Sequence, residues 1–402
     1  MMSAMGMVLT FVALLLAIAA WTVLASALVR KHRGRRCRKV ASWKGEPLLP
    51  PLCEPRVLLI RPCCGDEPKL SENLVSVLAA HRPKNTQVVL GVLGADDTSW
   101  PVLLLARSRI EQAGLECTVV DCPPLGPNRK ASILAHCVTQ HGREASVVIS
   151  ADSNVDLSGF DVCQLMDPLL QGGDRAATWA TPVEISAFRH LGNRASEALL
   201  NGSLHSFPLL RFLDRSLMVG KLFAIRGDVL ALMGGFESMT DYLGEDIRLS
   251  TAILELGLRH CPSDQIVVST AGPKSLAETI ERQLRWMMVV KAQRRRLLLS
   301  YPLFFAPSAF VLVFAALGAL LAPVYWQAAV ATLLLLVTGR MATAAAARSF
   351  CGCRLRLLSL LVDVILSEAV VLGALVKVIG KREISWRGVR LRLGQDGRLE
   401  RL

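Results

Sequence analysis

The stretch Val147-Val148-Ile149-Ser150-Ala151-Asp152-Ser153-Asn154 decides how the chain is read. A short apolar run suited to a buried strand ends in a carboxylate followed by turn formers. The pattern recurs on both sides. Apolar runs at 57–60, 88–92, 118–120, 177–180, 222–225 and 266–269 alternate with helix-like stretches, one of them at 70–80. Strands alternating with helices predict an α/β domain with a largely parallel sheet. In such sheets ligands sit beyond the carboxyl ends of strands, so the strand exits are where chemistry is expected.

Four exits carry charge. Asp152, just past its strand, can hold Mg²⁺ or Mn²⁺, which in turn holds a diphosphate. The run 88–92 leads into Gly94-Ala95-Asp96-Asp97, whose acids can accept hydrogen bonds from a base or ribose. Gly126-Pro127-Asn128-Arg129-Lys130 precedes an apolar helix and makes an anion cradle, with Lys130 as a point charge on phosphate. Gly244-Glu245-Asp246 opens another helix, where a carboxylate can serve as general base. Each has a plainer reading: turn chemistry at Asp152, solvated loops at Asp97 and Lys130, and helix capping at Glu245 and Asp246.

Outside this region the chain is strongly apolar. Residues 7–29 are long enough to cross a bilayer, and Arg30, Lys31, Arg33, Arg35, Arg36, Arg38 and Lys39 follow. A secretory signal has its charges before the apolar core, and a C-terminal positive flank places the following domain in the cytoplasm. A tether with Pro47, Pro50, Pro51 and Pro55 leads to the sheet. Beyond it, Ser275 and Glu278 have capping-box spacing. Ile280, Leu284, Met287 and Met288 form an apolar stripe, while Arg282, Arg285 and Trp286 share another face. Lys291, Arg294, Arg295 and Arg296 crowd the C-terminal end, which predicts a basic helix lying along a membrane.

Three further apolar stretches follow at 303–321, 324–337 and 357–379. The first and last are long enough to span; the middle one is short unless 341–347 extends it. Asp363 and Glu368 in the last would each cost roughly 2.5–3.5 kcal/mol at mid-bilayer. That segment must therefore face protein, curl back or lie at the interface. The tail at 384–394 suggests a small hairpin.

Composition limits the partners. A formal charge of +13 suits an anionic partner, and 52% hydrophobic residues exclude an ordinary soluble protein. The charge clusters beside apolar spans, which favours lipid over nucleic acid. Aromatic residues are 5%, with no basic stretch interleaved with them as nucleic-acid stacking requires. Eleven cysteines without a C-x-x-C pair point to reduced thiols, and no zinc-site spacing is present.

Taken in order, these motifs resemble those of inverting glycosyltransferases of GT-A fold, within them the ceramide glucosyltransferase family. The carrying residues are Asp96-Asp97, Gly126-x-Asn128-x-Lys130, Asp152-Ser153, Glu245-Asp246 and the R-x-x-R-W of Arg282, Arg285 and Trp286. Arg61-Pro62, Gly65-Asp66-Glu67-Pro68, Glu72-Asn73-Leu74 and the tail Ile384-Ser385-Trp386-Arg387 also match. The resemblance implies a division into a transmembrane helix (1–30), a basic and Pro-rich linker (31–55) and a GT-A catalytic domain (56–274). An interface helix (275–300), membrane helices (301–380) and a tail hairpin (381–402) complete it.

The resemblance also implies roles. Asp246 is the catalytic base. Asp97, Lys130, Asp152, Ser153, Glu245, Arg282, Arg285 and Trp286 bind substrate, with Asp152 also the ligand of Mg²⁺ or Mn²⁺. The donor is a UDP-sugar, glucose first, and the acceptor a membrane lipid hydroxyl such as that of ceramide. Asn154 stands where a D-x-D motif has its second acid, which leaves the metal's identity open. Two other readings compete: a hopanoid-type lipid N-acetylglucosaminyltransferase, and an inactive UDP-sugar-binding membrane protein. Oligomeric state is not legible.

Overall fold

The computed structural model describes residues 2–41, 55–203, 206–350, 352–386, 389–394 and 397–401. The chain forms two compact units and passes between them more than once. One comprises Arg36–Ile185, Ser216–Gly272 and Arg382–Leu402; the other comprises Met1–Arg35, Ser186–Arg215 and Pro273–Lys381.

The first unit is built on an eight-stranded sheet. Its strands are β1 (Val57–Pro62), β2 (Thr86–Val92), β3 (Cys117–Asp121), β4 (Val147–Ala151), β5 (Val155–Asp156), β6 (Arg175–Ser186), β7 (Leu222–Arg226) and β8 (Arg259–Ala271). Their order is β3-β2-β1-β4-β7-β6-β8-β5. β1, β2, β3 and β4 pair in parallel. β4 with β7, β6 with β7, and β5 with β8 are antiparallel. The α/β expectation holds with a mostly parallel sheet: parallel pairing runs from β3 to β4, and antiparallel pairing begins at β7. The reason is local. β7 follows a segment that belongs to the other unit, so it is not fed by a crossover helix that would bring it back parallel.

Every residue of β1 and β4 is buried, as apolar strands covered on both faces must be. Leu59, Leu90, Val147 and Ile149 join Leu74, Leu103 and Ile110 from the covering helices in one core. Each such side chain contributes about 1.5–3 kcal/mol by leaving water. β4 then stops where the Asp152 N–H bonds the Lys221 carbonyl at 3.0 Å and Val155 N–H turns back to the Asp152 carbonyl. The first carboxylate past the core is thus held at a fixed exit. The tail forms the expected hairpin, β9 (Glu383–Trp386) and β10 (Val389–Leu393), and adds a third strand, β11 (Leu399–Arg401). Residues 387 and 388, which separate β9 from β10 in sequence, lie outside the described residues.

The second unit is helical. Its first helix, Met2–Ala41, continues through the basic run where the sequence reading starts a linker at 31. The prolines at 47, 50 and 51 lie outside the described residues. Gly6 and Gly318 let this helix approach Pro307–Leu321: a Cβ on Gly6 would lie 2.6 Å from the Ala322 Cβ. Small residues at such contacts are how helices pack without a hydrophobic driving force.

Among the described residues, three helices are long and apolar enough to cross a membrane: Met2–Val23, Pro323–Ser349 and Leu357–Val378. The stretch read as a span at 303–321 is instead broken, with Arg295–Phe305 and Pro307–Leu321 bent by 75°. Pro307 has no N–H and cannot continue the preceding turn. The middle stretch, too short in the sequence reading, becomes the 25-residue helix Trp326–Phe350.

The two acids of Leu357–Val378 are buried and paired. Asp363 meets Arg194 at 2.8 Å and Arg348 at 2.5 Å. Glu368 meets Arg340 at 2.9 Å and accepts from the Ser308 N–H at 3.0 Å and hydroxyl at 2.7 Å. Arg340 in turn donates to the Phe304 and Phe305 carbonyls. The pair therefore satisfies backbone groups on both sides of the break, as non-helical backbone in an apolar setting requires.

Candidate active site

Lys130 is the hub of the sheet unit. It lies in the first turn of the helix Arg129–His141, whose N-cap Asn128 accepts the Ala131 N–H at 3.1 Å. The cap fixes where the helix begins and so where Lys130 points. Its ammonium lies 2.8 Å from Asp152 Oδ1, 3.0 Å from Glu245 Oε1 and 2.7 Å from the Gly220 carbonyl. Three donors meet three oxygens from three separate stretches of chain.

Glu245 and Asp246 open the helix Glu245–Glu255 after Gly244. Asn128 also donates to Glu245 Oε2 at 3.2 Å. Asp246 accepts from the Gly220 N–H at 2.9 Å and from the Ile247 N–H at 2.9 Å. Glycine suits this approach, because a Cβ at 220 would sit 3.0 Å from the Asp246 Cβ and crowd the acid. The same residue thus donates its N–H to one acid and its carbonyl to the lysine beside it.

The two acids differ in charge state. Burial pushes Asp246 up to about 6, reinforced by the Glu245 carboxylate and only partly offset by Lys130. Burial would also raise Asp152, but Lys130 and Lys221 outweigh it and hold that carboxyl at about 2. Burial opposes the charge on Lys130, yet Asp152 and Glu245 keep it above the ordinary lysine value. The cations hold Asp152 in its charged form, while burial and Glu245 lead Asp246 to keep its proton to higher pH.

The remaining expected residues fall nearby or elsewhere. Asp97 accepts from the Gly65 N–H at 2.7 Å and from Ser99 through its N–H (2.9 Å) and hydroxyl (2.7 Å). Burial would raise its carboxyl, but these bonds bring it below the ordinary value. Its link to the hub is indirect: Arg129, adjacent to Lys130, lies 4.0 Å away. Ser153 donates its hydroxyl to Glu67 at 2.5 Å, and its carbonyl accepts from Arg61 at 3.2 Å. Arg61, wholly buried, also bonds the Val155 carbonyl at 2.7 Å and so braces the turn that carries Asp152.

Arg282, Arg285 and Trp286 belong to the helical unit, on Leu276–Gln293. The Ser275–Glu278 capping box forms as its spacing predicts. Leu284, Met287 and Met288 are buried, while Trp286 is exposed with the Arg282 guanidinium 5.0 Å from its ring centroid. Arg282 also bonds the Ser196 hydroxyl.

The sequence reading missed Lys221. Its ammonium is 3.1 Å from Asp152 Oδ2 and 2.9 Å from Asn154 Oδ1. Asn154, where a second acid was absent, therefore still supplies an oxygen facing a cation. The available signal was a cation immediately before the run 222–225. Apart from this site, His81, Asp161 and Cys163 bring ligand atoms within 4.8 Å of one another, but Asp161 is engaged as the N-cap of Val162–Leu170.

Similarity to solved structures is low. A mannosyltransferase from Pyrobaculum calidifontis, in complex with GDP-Man and Mn²⁺, is 18% identical, with 94% of this chain and 99% of that chain covered and a TM-score of 0.46. Glucosyl-3-phosphoglycerate synthase from Mycobacterium tuberculosis, with Mn²⁺, UDP-glucose and phosphoglyceric acid, is 15% identical. There the match covers 59% of this chain and 79% of that chain, at a TM-score of 0.35. The sequence itself is decisive: the model of glycosyl transferase family 21 matches residues 9–399, and the chain belongs to that family.

Proposed function

We propose that this glycosyltransferase moves a sugar from a UDP-sugar, glucose first, to the hydroxyl of a membrane lipid such as ceramide, with inversion. The observation that carries the reading is the hub at Lys130, which gathers Asp152, Glu245 and the Gly220 carbonyl beside the half-buried Asp246. Asp246 is the base. It takes the acceptor's proton as the oxygen bonds to the anomeric carbon and the bond from that carbon to the diphosphate breaks. UDP departs from the opposite face. A base poised near the working pH is suited to that proton.

Charge supports a divalent cation. Asp152, Glu245 and Asp246 bring three negative charges against the two ammonium groups of Lys130 and Lys221. When all three acids are ionised the cluster is net negative and would repel a diphosphate. Mg²⁺ or Mn²⁺ at Asp152, with Asn154 beside it, reverses the sign and would supply charge neutralisation for the leaving UDP. The lysines now occupy the oxygens that such an ion would face, and an ammonium is a compact charge that can move away.

Asp97 serves the nucleotide, Ser153 and Glu245 hold neighbouring groups, and Arg282, Arg285 and Trp286 serve the diphosphate and acceptor. The three candidate spans support a bilayer acceptor, and the basic run after the first supports a cytoplasmic sheet unit. The test is purified protein in detergent, assayed against UDP-glucose and UDP-N-acetylglucosamine with ceramide and hopanoid alcohols. UDP release and glycolipid formation with UDP-glucose and ceramide are expected. Transfer only to a hopanoid alcohol would overturn the acceptor. Tight UDP binding without transfer to any acceptor would overturn the catalytic reading.

A further inference from the structure

We propose that the C-terminal tail is part of the catalytic apparatus: residues 397–401 anchor the loop 240–244 and so aim Glu245 and Asp246, with Arg398 and Tyr242 as positioning residues. The inference rests on the function proposed above.

The loop is held along two edges. On one, the Asn128 N–H bonds the Thr240 carbonyl at 2.8 Å and the Asn128 amide bonds the Tyr242 carbonyl at 2.7 Å. On the other, the tail pairs with it as a short antiparallel bridge between Tyr242 and Arg398. The Leu399 N–H donates to the Asp241 carbonyl at 2.7 Å, and the Leu243 N–H donates to the Gly397 carbonyl at 3.4 Å. The side chains repeat the contact. Arg398 Nε donates to the Tyr242 hydroxyl at 3.2 Å, and its guanidinium lies 5.7 Å from the ring centroid. Arg248, on the helix that Glu245 opens, places its guanidinium 5.8 Å from the same ring. Tyr242 thus joins the tail to the helix bearing the two acids. Leu391 and Leu399 are buried, so the tail is seated by apolar contacts as well.

Such an arrangement matters because, among the described residues, Asp246 is held by two backbone N–H groups, from Gly220 and Ile247. A carboxylate held this lightly depends on where its helix begins. Gly244 caps that helix without a side-chain bond, so its start is set by what grips the loop before it. Small misplacements at a reacting centre are costly.

The test compares the full-length wild type with Arg398→Ala, Arg398→Lys and Tyr242→Phe in detergent. Amide exchange at 240–248 should rise about tenfold in Arg398→Ala, with β1 and β4 unchanged. The kcat for sugar transfer should fall about tenfold at constant donor KM. Arg398→Lys, which keeps the cation, should recover most of both, and Tyr242→Phe should lie between. Unchanged exchange at 240–248, or looser exchange with full kcat, overturns the proposal. Exchange that rises in β1 and β4 as well also overturns it, since the tail would then merely stabilise the fold. Asp246→Asn separates the underlying reading: if that variant still transfers sugar while Arg398→Ala loosens the loop, the anchoring stands and the role of Asp246 falls.

Discussion

Each unit contains a cluster of acids and cations drawn in from solvent, and the two clusters are built differently. In the helical unit, Asp363 and Glu368 face Arg194, Arg348 and Arg340. Arginine forks also reach backbone carbonyls of Ser359, Arg354, Phe304 and Phe305. In the sheet unit, Asp152, Glu245 and Asp246 face two lysines. The first cluster has cations in excess, and its planar donors are spread over several acceptors. The second has acids in excess, and its donors are point charges. Arginine suits a bond meant to persist, while lysine suits one that a ligand can replace. The difference separates a structural ion-pair network from a reaction site better than burial does.

The sharpest way to break the comparison is Asp246→Asn. Sugar transfer, measured as UDP release, should fall about 10²–10⁴-fold. The melting temperature at pH 8 should hold or rise, because a carboxylate whose charge the fold opposes has been removed. The converse is expected of Arg340→Met. It leaves Glu368 buried without its cation and should cost about 3–5 kcal/mol, read from thermal unfolding in detergent. The double variant Arg340→Met with Glu368→Leu should cost less than that single change.

Acidity sharpens the contrast further. Asp246 is raised from 3.8 to about 6, so the native state holds its proton more tightly than the unfolded chain. Its contribution to stability therefore declines as pH rises between those values, while the ionised base accumulates. The transfer rate should drop about tenfold per pH unit below that upper value, a pH–rate profile being the check. Lys221→Met should alter the concentration of Mn²⁺ needed for half-maximal rate by about tenfold, since it removes the ammonium that competes at Asp152. Last and smallest, Ser275→Ala should cost about 1 kcal/mol by removing the cap of Leu276–Gln293.

Much of this was legible from residue order. The strand runs, the carboxylates at their exits and the capping box at Ser275 follow from local pattern, which needs no partner to be seen. Pairing direction was not legible, because β7 owes its antiparallel course to the excursion of 186–215 into the other unit. Lys221 was missed for a related reason. A lone lysine before a strand reads as solvated until β4 and β7 are known to be neighbours. The break at Pro307 was hidden by composition, since hydropathy averages over a bend. Asp363 and Glu368 were flagged as needing partners, but their arginines lie on other helices, and nothing in their own segment names them.

The bonds at the two ends of Leu357–Val378 have a topographic consequence. Near its start Asp363 pairs with Arg194, in the segment 186–215 of the same unit. At its far end Lys377 pairs with Glu281, and the Val378 carbonyl accepts from Lys291, on the helix that follows the sheet directly. Both ends are thereby held by ion pairs to neighbours within the helical unit, so this helix is anchored by charge as well as by its apolar faces. Thiols placed at residue 352 and at the C-terminus report whether the helix crosses: a membrane-impermeant label reaches only one of them if it does and treats both alike if it does not.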